Sequence, residues 1–308
     1  MISVVIPTLN AKQYLPKQLA ALKRQNLSGE ELEILVVDSE SEDGTTAVAA
    51  EYGARILNVS RAQFDHGGTR NLAWRAAKGE YIFFLTQDAL PADSDYLAHF
   101  LAFFGKYGET LGMVSGRQIP YDNARPGERL TRAFNYPPES NIREASDIER
   151  LGIKAFFFSD ACAAYRRSFL EQMGGFESPV LTNEDMLMAA RALAAGYKVG
   201  YCADAKVYHS HNFSLKQQYR RNFDVAAFLT MYKDEIASGS ADGEGIRMVL
   251  YTERQLFRGG HFASMCYCIL ESAAKFLGNR AGKKYRSMTL EQILKKTSNP
   301  AFWRKNGV

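Results

Sequence analysis

Residues 4–10 read Val-Val-Ile-Pro-Thr-Leu-Asn (VVIPTLN): an apolar run of strand length that breaks into a proline and two polar side chains. The pattern recurs in ILVVDSESEDGT (Ile34–Thr45), YIFFLTQDALP (Tyr81–Pro91) and VYHSH (Val207–His211). Ligands of open α/β sheets bind beyond the carboxyl ends of the strands. The polar ends are therefore expected to converge on one site, although about two hundred residues separate the first from the last.

Outward from these runs, helical spacing appears at 14–25 (Leu15, Leu19, Leu22), 45–52, 69–77 and 95–107, and further strands are predicted at 55–59 and 111–119. This βαβα alternation predicts a mixed, mainly parallel sheet with helices on both faces. The early strands are apolar on both sides, as such a sheet requires. Residues 120–150, with Asp122, Asn123, Pro126, Gly127, Pro137, Pro138 and Asn141, read as a loop region with one short helix, a mobile lid over the site. Strands are expected at 155–158 and 161–165, a helix at 184–195 ended by Gly196, and extended segments at 198–202 and 205–208. From Leu215 onward the pattern is helical, with an apolar stripe at Phe262, Met265, Cys266, Ile269, Leu270, Ala273, Phe276 and Leu277.

The chain has 308 residues, 46% hydrophobic and 23% charged, the composition of a globular protein with a sizeable core. No apolar run reaches the roughly 18 residues that a membrane-spanning helix needs. The first residues lack a basic segment ahead of the apolar run and read as a strand rather than a signal peptide. Four cysteines form no CxxC pair and read as reduced thiols of a cytosolic protein. The net charge of +4 is uneven: residues 246–308 carry twelve Lys/Arg against three Asp/Glu, leaving −5 on the preceding 245. No nucleic-acid-binding motif accompanies the basic tail.

Each polar strand end has a chemical and a structural reading. Pro7 stiffens the first exit, after which Thr8 and Asn10 either bind a ligand or, for Asn10, cap a helix. Asp38 suits a base N–H, whereas Asp43 in Asp43-Gly44-Thr45 suits a turn into a helix. In FDHGGTRN (Phe64–Asn71), Arg70 and a glycine-rich helix start suit an anion. Asp88, with Gln87 beside it, is a candidate cation ligand, and a second ligand is sought in His209 or His211. Glu184-Asp185 at a helix start serves either the helix dipole or acid–base chemistry. A GxGxxG fingerprint is absent, which counts against a dinucleotide dehydrogenase.

Together and in this order these residues resemble an inverting glycosyltransferase of the large family 2, with the GT-A fold, over residues 1–230. FDHGGTRNLA (64–73), LTQDALP (85–91), HSHNFSLKQQYRRNFD (209–224) and the segments 275–282 and 285–288 resemble its bacterial rhamnosyltransferase branch. The resemblance implies a Rossmann-like nucleotide-sugar-binding half (1–120), an acceptor and catalytic half (121–230) and a helical C-terminal extension (231–308). It implies a dTDP-L-rhamnose donor, with UDP-hexose or UDP-N-acetylhexosamine as alternatives, and a saccharide acceptor carried on a lipid in surface-polysaccharide synthesis. Pro7, Thr8, Asn10 and Asp38 would line the nucleoside pocket, with Arg70 and Gln87 near the donor. Asp88 and His209 would hold Mg²⁺ or Mn²⁺. Asp185 would be the general base with Glu184 beside it, and Gln217 with Arg220 or Arg221 would flank the acceptor and the diphosphate. Two departures stand out: the family's D-x-D reads Thr86-Gln87-Asp88, and Q-x-x-R-W ends in Arg221. A non-catalytic nucleotide-sugar-binding assembly protein would share the pocket without transfer. The stripe at 262–277 with Lys275, Arg280, Lys283, Lys284 and Arg286 suits an anionic membrane surface on the cytoplasmic face, or a homodimer contact.

Overall fold

The computed structural model describes residues 1–236 and 242–308. Among these, nine strands form one sheet: β1 (Ile2–Thr8), β2 (Leu32–Asp38), β3 (Arg55–Asn58), β4 (Tyr81–Leu85), β5 (Leu90–Pro91), β6 (Leu111–Ile119), β7 (Asn141–Arg143), β8 (Cys162–Arg166) and β9 (Lys198–Tyr208). Their order is β3-β2-β1-β4-β8-β6-β9-β5, with β7 on β9. Strands β1 to β4 run parallel, and β9 runs parallel to β6. Strand β8 is antiparallel to both its neighbours. Its first residue, Cys162, pairs with Leu85, the last of β4, so the start of β8 lies at the carboxyl end of the parallel strands.

Both faces of the sheet are covered. Val5, Leu35, Val37, Ile82 and Phe84 point into a core with Trp74, Phe176 and Leu187. Val4, Ile6, Ile34, Val36 and Phe83 point into the opposite core with Leu19, Phe100 and Phe104. Side chains alternate across a strand, so VVI and ILVV feed two cores at once. Pro7 sits in β1 without breaking the sheet, because pairing with β4 stops at Val5↔Phe84 while pairing with β2 continues to Thr8↔Asp38. The chain order turns at this point: β2 and β3 lie on one side of β1 and β4 on the other, the switch-point geometry that opens a crevice at the strand ends.

Three local expectations change. The segment predicted as a strand at 155–158 is a 3₁₀ turn, Gly152–Phe156, because Arg143 Nη1 gathers the carbonyls of Lys154, Ala155 and Phe157 on one side. Residues 120–150 hold more order than a loop: a helix at Pro126–Asn135, entered through a proline in its first turn, and the strand β7. The two extended pieces at 198–208 are one strand, whose pairing with β6 shifts register between Gly116 and Arg117.

The C-terminal helices pack back on the sheet domain. Gly278 and Gly282 of the helix Phe262–Gly282 meet the helix Leu215–Met231 backbone to backbone; a Cβ on either would lie 2.2 Å from the carbonyl oxygen of Tyr219 or Phe223. Beyond them Tyr285, Ile293 and Trp303 form a small core with Leu181 and Phe223. No helix among the described residues is long and apolar enough to cross a membrane.

Candidate active site

At the β1–β2 end, Thr8 Oγ1 donates to Asp38 Oδ1 (3.0 Å), and Asp38 also accepts from Ser41 Oγ (2.6 Å) and Ser41 N (2.8 Å). Both side chains are buried. Asn10 takes a left-handed backbone (φ 52°) and ties the two exits together, its N–H donating to Ser41 Oγ and its Oδ1 accepting from Glu42 N. Asn10 therefore caps no helix. Asp43 organises the turn as expected: it accepts from Thr45 N and Lys12 N ahead of the helix Thr45–Glu51. Gln87 bridges the switch point itself, accepting from Leu9 N (2.8 Å) and donating to Leu9 O (3.3 Å).

Beside that bridge, Asp88 meets two imidazoles. Asp88 Oδ1 lies 3.4 Å from His209 Nε2 and Oδ2 lies 3.5 Å from His211 Nε2; the two Nε2 atoms are 3.0 Å apart. One oxygen and two ring nitrogens thus converge as a candidate cation site. The orientation of His209 is fixed from behind. Gln118 Nε2 donates to Ser159 Oγ, which turns Gln118 Oε1 toward His209 Nδ1 (2.8 Å). Nδ1 then carries the proton and Nε2 presents its lone pair to the cluster. Burial pushes His211 down to about 4, and neighbouring His209 adds to the shift, which leaves the ring neutral near pH 7. Burial raises Asp88, but His209 and His211 outweigh it and hold the carboxyl well below the usual range. His211 thus stands beside the single acid of Thr86-Gln87-Asp88. A cleft of about 510 Å³ opens here, lined by Gln87, Asp88, Tyr121, Asp122, Asn123 and His211 among others.

The third group is a buried charge network. Arg70 Nε lies 2.7 Å from Asp160 Oδ2 and Arg70 Nη1 lies 2.7 Å from Glu184 Oε1. Tyr165 Oη donates to Asp160 Oδ1 (2.6 Å), and Asp160 N donates to Asp185 Oδ2 (3.0 Å). Burial pushes Asp185 well above the ordinary carboxyl range, and the neighbouring charges of Glu184 and Asp160 push it further. Glu184 is pushed up by burial but pulled below its usual value by Arg70. Asp160 is raised to about 6, chiefly by burial against the opposing pull of Arg70. Two adjacent acids with pKa values driven in opposite directions can divide acid–base work between them. Asn183, just before the helix Glu184–Ala194, holds a left-handed φ of 58°, a conformation Asn tolerates better than most side chains.

Several expected partners lie elsewhere. The helix containing Arg70 starts earlier than predicted, at His66, and its N-terminus is capped by Asp65, which accepts from Gly68 N (2.7 Å) and Val180 N (2.9 Å). A carboxylate thus occupies the expected anion position. Gly67 answers to packing, since a Cβ there would lie 1.8 Å from Glu177 O. Arg70 pairs with Asp160 and Glu184. Arg220 turns to the C-terminal segment, 3.5 Å from Lys295 O, while Arg221, about 100° further round the helix, stacks on Phe213 (4.6 Å) beside His211. Gln217 closes a capping box with Ser214.

Asp160, Gln118 and the choice of both histidines were not singled out from the sequence. Asp160 did carry a signal: it is a polar residue at the start of an apolar strand. That start reaches the site because β8 is antiparallel.

The sequence from 3 to 174 matches the family model described as Glycosyl transferase family 2. The O-antigen chain rhamnosyltransferase RfbN of Salmonella typhimurium is 38% identical, covering 98% of this chain and 96% of that protein. WbaN of Salmonella anatum, also an O-antigen chain rhamnosyltransferase, is 36% identical over 98% of this chain and 95% of its own. Among solved structures, the mannosyltransferase PcManGT of Pyrobaculum calidifontis, in complex with GDP-Man and Mn²⁺, superposes with a TM-score of 0.61 at 19% identity, covering 92% of this chain and 87% of that one. At that identity the likeness speaks for the fold.

Proposed function

The chain belongs to glycosyltransferase family 2, and from that premise we propose that it moves L-rhamnose from dTDP-L-rhamnose to a lipid-linked saccharide with inversion at the anomeric carbon. The supporting observation is the pair of sites at one end of the sheet: an Asp–His–His cluster at the switch point and the raised carboxylate of Asp185 in the buried network. The near full-length similarity to two O-antigen chain rhamnosyltransferases supports the sugar.

In this reading the nucleoside lies over Thr8, Asn10 and Asp38 at the β1–β2 end, with Pro7 and Gln87 shaping the crevice. Asp88, His209 and His211 would hold the divalent cation, Mg²⁺ or Mn²⁺, which when bound offsets the charge of the leaving diphosphate. The acceptor hydroxyl gives its proton to an Asp185 oxygen as its own oxygen attacks the anomeric carbon, and the nucleoside diphosphate departs on the opposite face. Asp185 is suited to this because a carboxylate with a raised pKa is a stronger base. Asp160 N–H fixes its position. Glu184 and Arg70 position and tune it. Residues 1–120 would serve the donor, 121–230 the acceptor and catalysis, and 231–308 the surroundings of the enzyme.

Two expected outcomes test the parts. Gln118→Ala frees the His209 ring and should weaken Mn²⁺ binding by about 10- to 100-fold; calorimetry showing unchanged Mn²⁺ affinity removes Gln118 from that role. Glu184→Gln deletes a negative neighbour of Asp185, whose pKa then falls. Asp185 must be ionised to act, so the acidic limb of the pH–kcat/KM profile should move to lower pH. A limb that stays or moves up contradicts the tuning.

The helices Asp242–Arg258 and Phe262–Gly282 expose Ile246, Leu250, Phe257, Phe262, Ile269 and Phe276, each more than half exposed, beside a basic tail. We propose that this face lies on an anionic membrane where a lipid-linked acceptor resides. Flotation with phosphatidylglycerol vesicles should carry the wild type, and Phe257→Ser/Phe276→Ser should stay at the bottom. Equal flotation, or concentration-dependent dimers dissolved by the same changes, would assign the face otherwise. The donor is tested by a screen of dTDP-L-rhamnose, UDP-hexose and UDP-N-acetylhexosamine for acceptor-dependent diphosphate release.

A further inference from the structure

The buried stripe of the helix Leu15–Lys23 consists of Leu15, Gln18, Leu19 and Leu22. A glutamine stands where helical spacing calls for an apolar side chain, and its exposure is 1%. A polar group set against the local pattern needs a reason elsewhere in the fold. Gln18 Nε2 donates to Thr86 O and to Ala89 O, at 2.7 Å each. A primary amide carries two N–H donors on one nitrogen, and both are used here. Gln18 Oε1 is left buried without a hydrogen-bond partner among the described residues. An unmet buried acceptor is costly, and an apolar side chain would not incur that cost. The two carbonyls are therefore what the glutamine serves.

Those carbonyls bracket the turn that carries Asp88. Ala89 N donates back to Thr86 O (3.0 Å), which closes the turn. Asp88 O, between them, accepts from Tyr121 Oη (3.1 Å). On one side the turn leaves β4; on the other Leu90 pairs with Tyr208, the residue before His209. Strand pairing thus brings Asp88 near the histidines, and the turn sets where its carboxylate points. The carboxylate must meet His209 at 3.4 Å and His211 at 3.5 Å. With one acid in Thr86-Gln87-Asp88, the turn offers no second carboxylate to make up for a misplaced first.

We propose that Gln18 is a positioning residue for the cation site: by holding both ends of the turn it fixes the Asp88 carboxylate against His209 and His211. This rests on reading those three side chains as the cation site of a glycosyltransferase. Gln18 acts through the Thr86 and Ala89 carbonyls and is no ligand itself. A second glutamine supplies the control. Gln25, just past the same helix, donates from Nε2 to Asp93 O (2.8 Å) and accepts from Leu97 N (3.0 Å). It ties the chain beyond β5 to the helix and leaves the Asp88 turn alone.

The test titrates Mn²⁺ alone by calorimetry into the full chain and into Gln18→Met, Gln18→Asn and Gln25→Met, with Tm measured on each preparation. Met keeps the length of Gln and removes both donors; Asn keeps the amide but holds it one methylene short of the carbonyls. Both Met variants should lose stability, roughly 5 °C in Tm. Only the Gln18 variants should lose Mn²⁺ affinity, by roughly 10- to 100-fold for Met and at least about threefold for Asn. Hydrogen exchange in the absence of metal should quicken at 87–89 in Gln18→Met and stay unchanged there in Gln25→Met. Wild-type Mn²⁺ affinity in Gln18→Met overturns the positioning role and leaves Gln18 a packing residue. An equal loss of affinity in Gln25→Met overturns it too, by tying affinity to stability in general. Should Gln18→Met fail to fold, Gln18→Asn decides: wild-type affinity in that variant overturns the role. A wild-type chain that takes up no Mn²⁺ overturns the cation site itself and the role of Gln18 with it, an outcome distinct from the others. Because no transfer is measured, a wrong donor assignment leaves this result untouched.

Discussion

Asp185→Asn is expected to lower kcat by about 10²- to 10⁴-fold, the range that a positioned general base supplies. The amide keeps the size of the side chain and can still accept from Asp160 N, so the local geometry is retained. What is lost is the basic oxygen, and with it the acceptor of the proton in the transition state. Asp185 lies in the Arg70 network and not in the Asp88–His209–His211 cluster, so donor and Mn²⁺ affinities should stay within about twofold of wild type. The check is steady-state kinetics alongside dTDP-sugar binding on one preparation. Turnover near normal would remove Asp185 from the role of base, and a matching loss of donor affinity would show that the substitution acts on binding.

Arg70→Met should cost the most stability. The guanidinium is buried between Asp160 and Glu184, 2.7 Å from each, with Asp185 one residue further. Its removal leaves three neighbouring acids without a cation. Breaking a buried pair in this way costs about 3–5 kcal/mol, or roughly 10 °C in Tm for a chain of this size. The pH dependence has a definite sign. Without Arg70 all three carboxyl pKa values rise, that of Glu184 from below its usual value, and protonation relieves the repulsion, so the loss should be largest above neutral pH and shrink as pH falls toward 5. A loss that is constant with pH, or below about 1 kcal/mol, would contradict the network.

The strand-end logic of the sequence survives in three dimensions because parallel strands leave a strong signature. VVIPT, ILVVD and YIFFL are apolar on both faces, and their carboxyl ends must share one edge of the sheet. That logic reaches Thr8, Asp38, Gln87, Asp88 and His209. It misreads partners wherever a long-range contact decides. Gly67-Gly68 looked like an anion cradle, but one glycine makes room for Glu177 O and Asp65 caps the helix. Arg70 suited phosphate by type, and only the fold brings Asp160 and Glu184 to it. Asp160 lay outside a pattern that looked for polar residues after strands, since β8 runs the opposite way. The 155–158 segment has strand composition, but Arg143 draws its carbonyls into a turn. His211 comes beside Asp88 where the sequence shows a missing acid, which no local pattern at Thr86-Gln87-Asp88 could announce.

Transfer of L-rhamnose with inversion is read in the structure of the product. Purified chain, dTDP-L-rhamnose, Mn²⁺ and a lipid-linked saccharide are incubated, and the product is examined by mass and by the anomeric signals of its NMR spectrum. One added deoxyhexose is expected per dTDP released, with anomeric configuration opposite to that of the donor. Retained configuration, or a hexose taken from a UDP-sugar while dTDP-L-rhamnose is left intact, would contradict it.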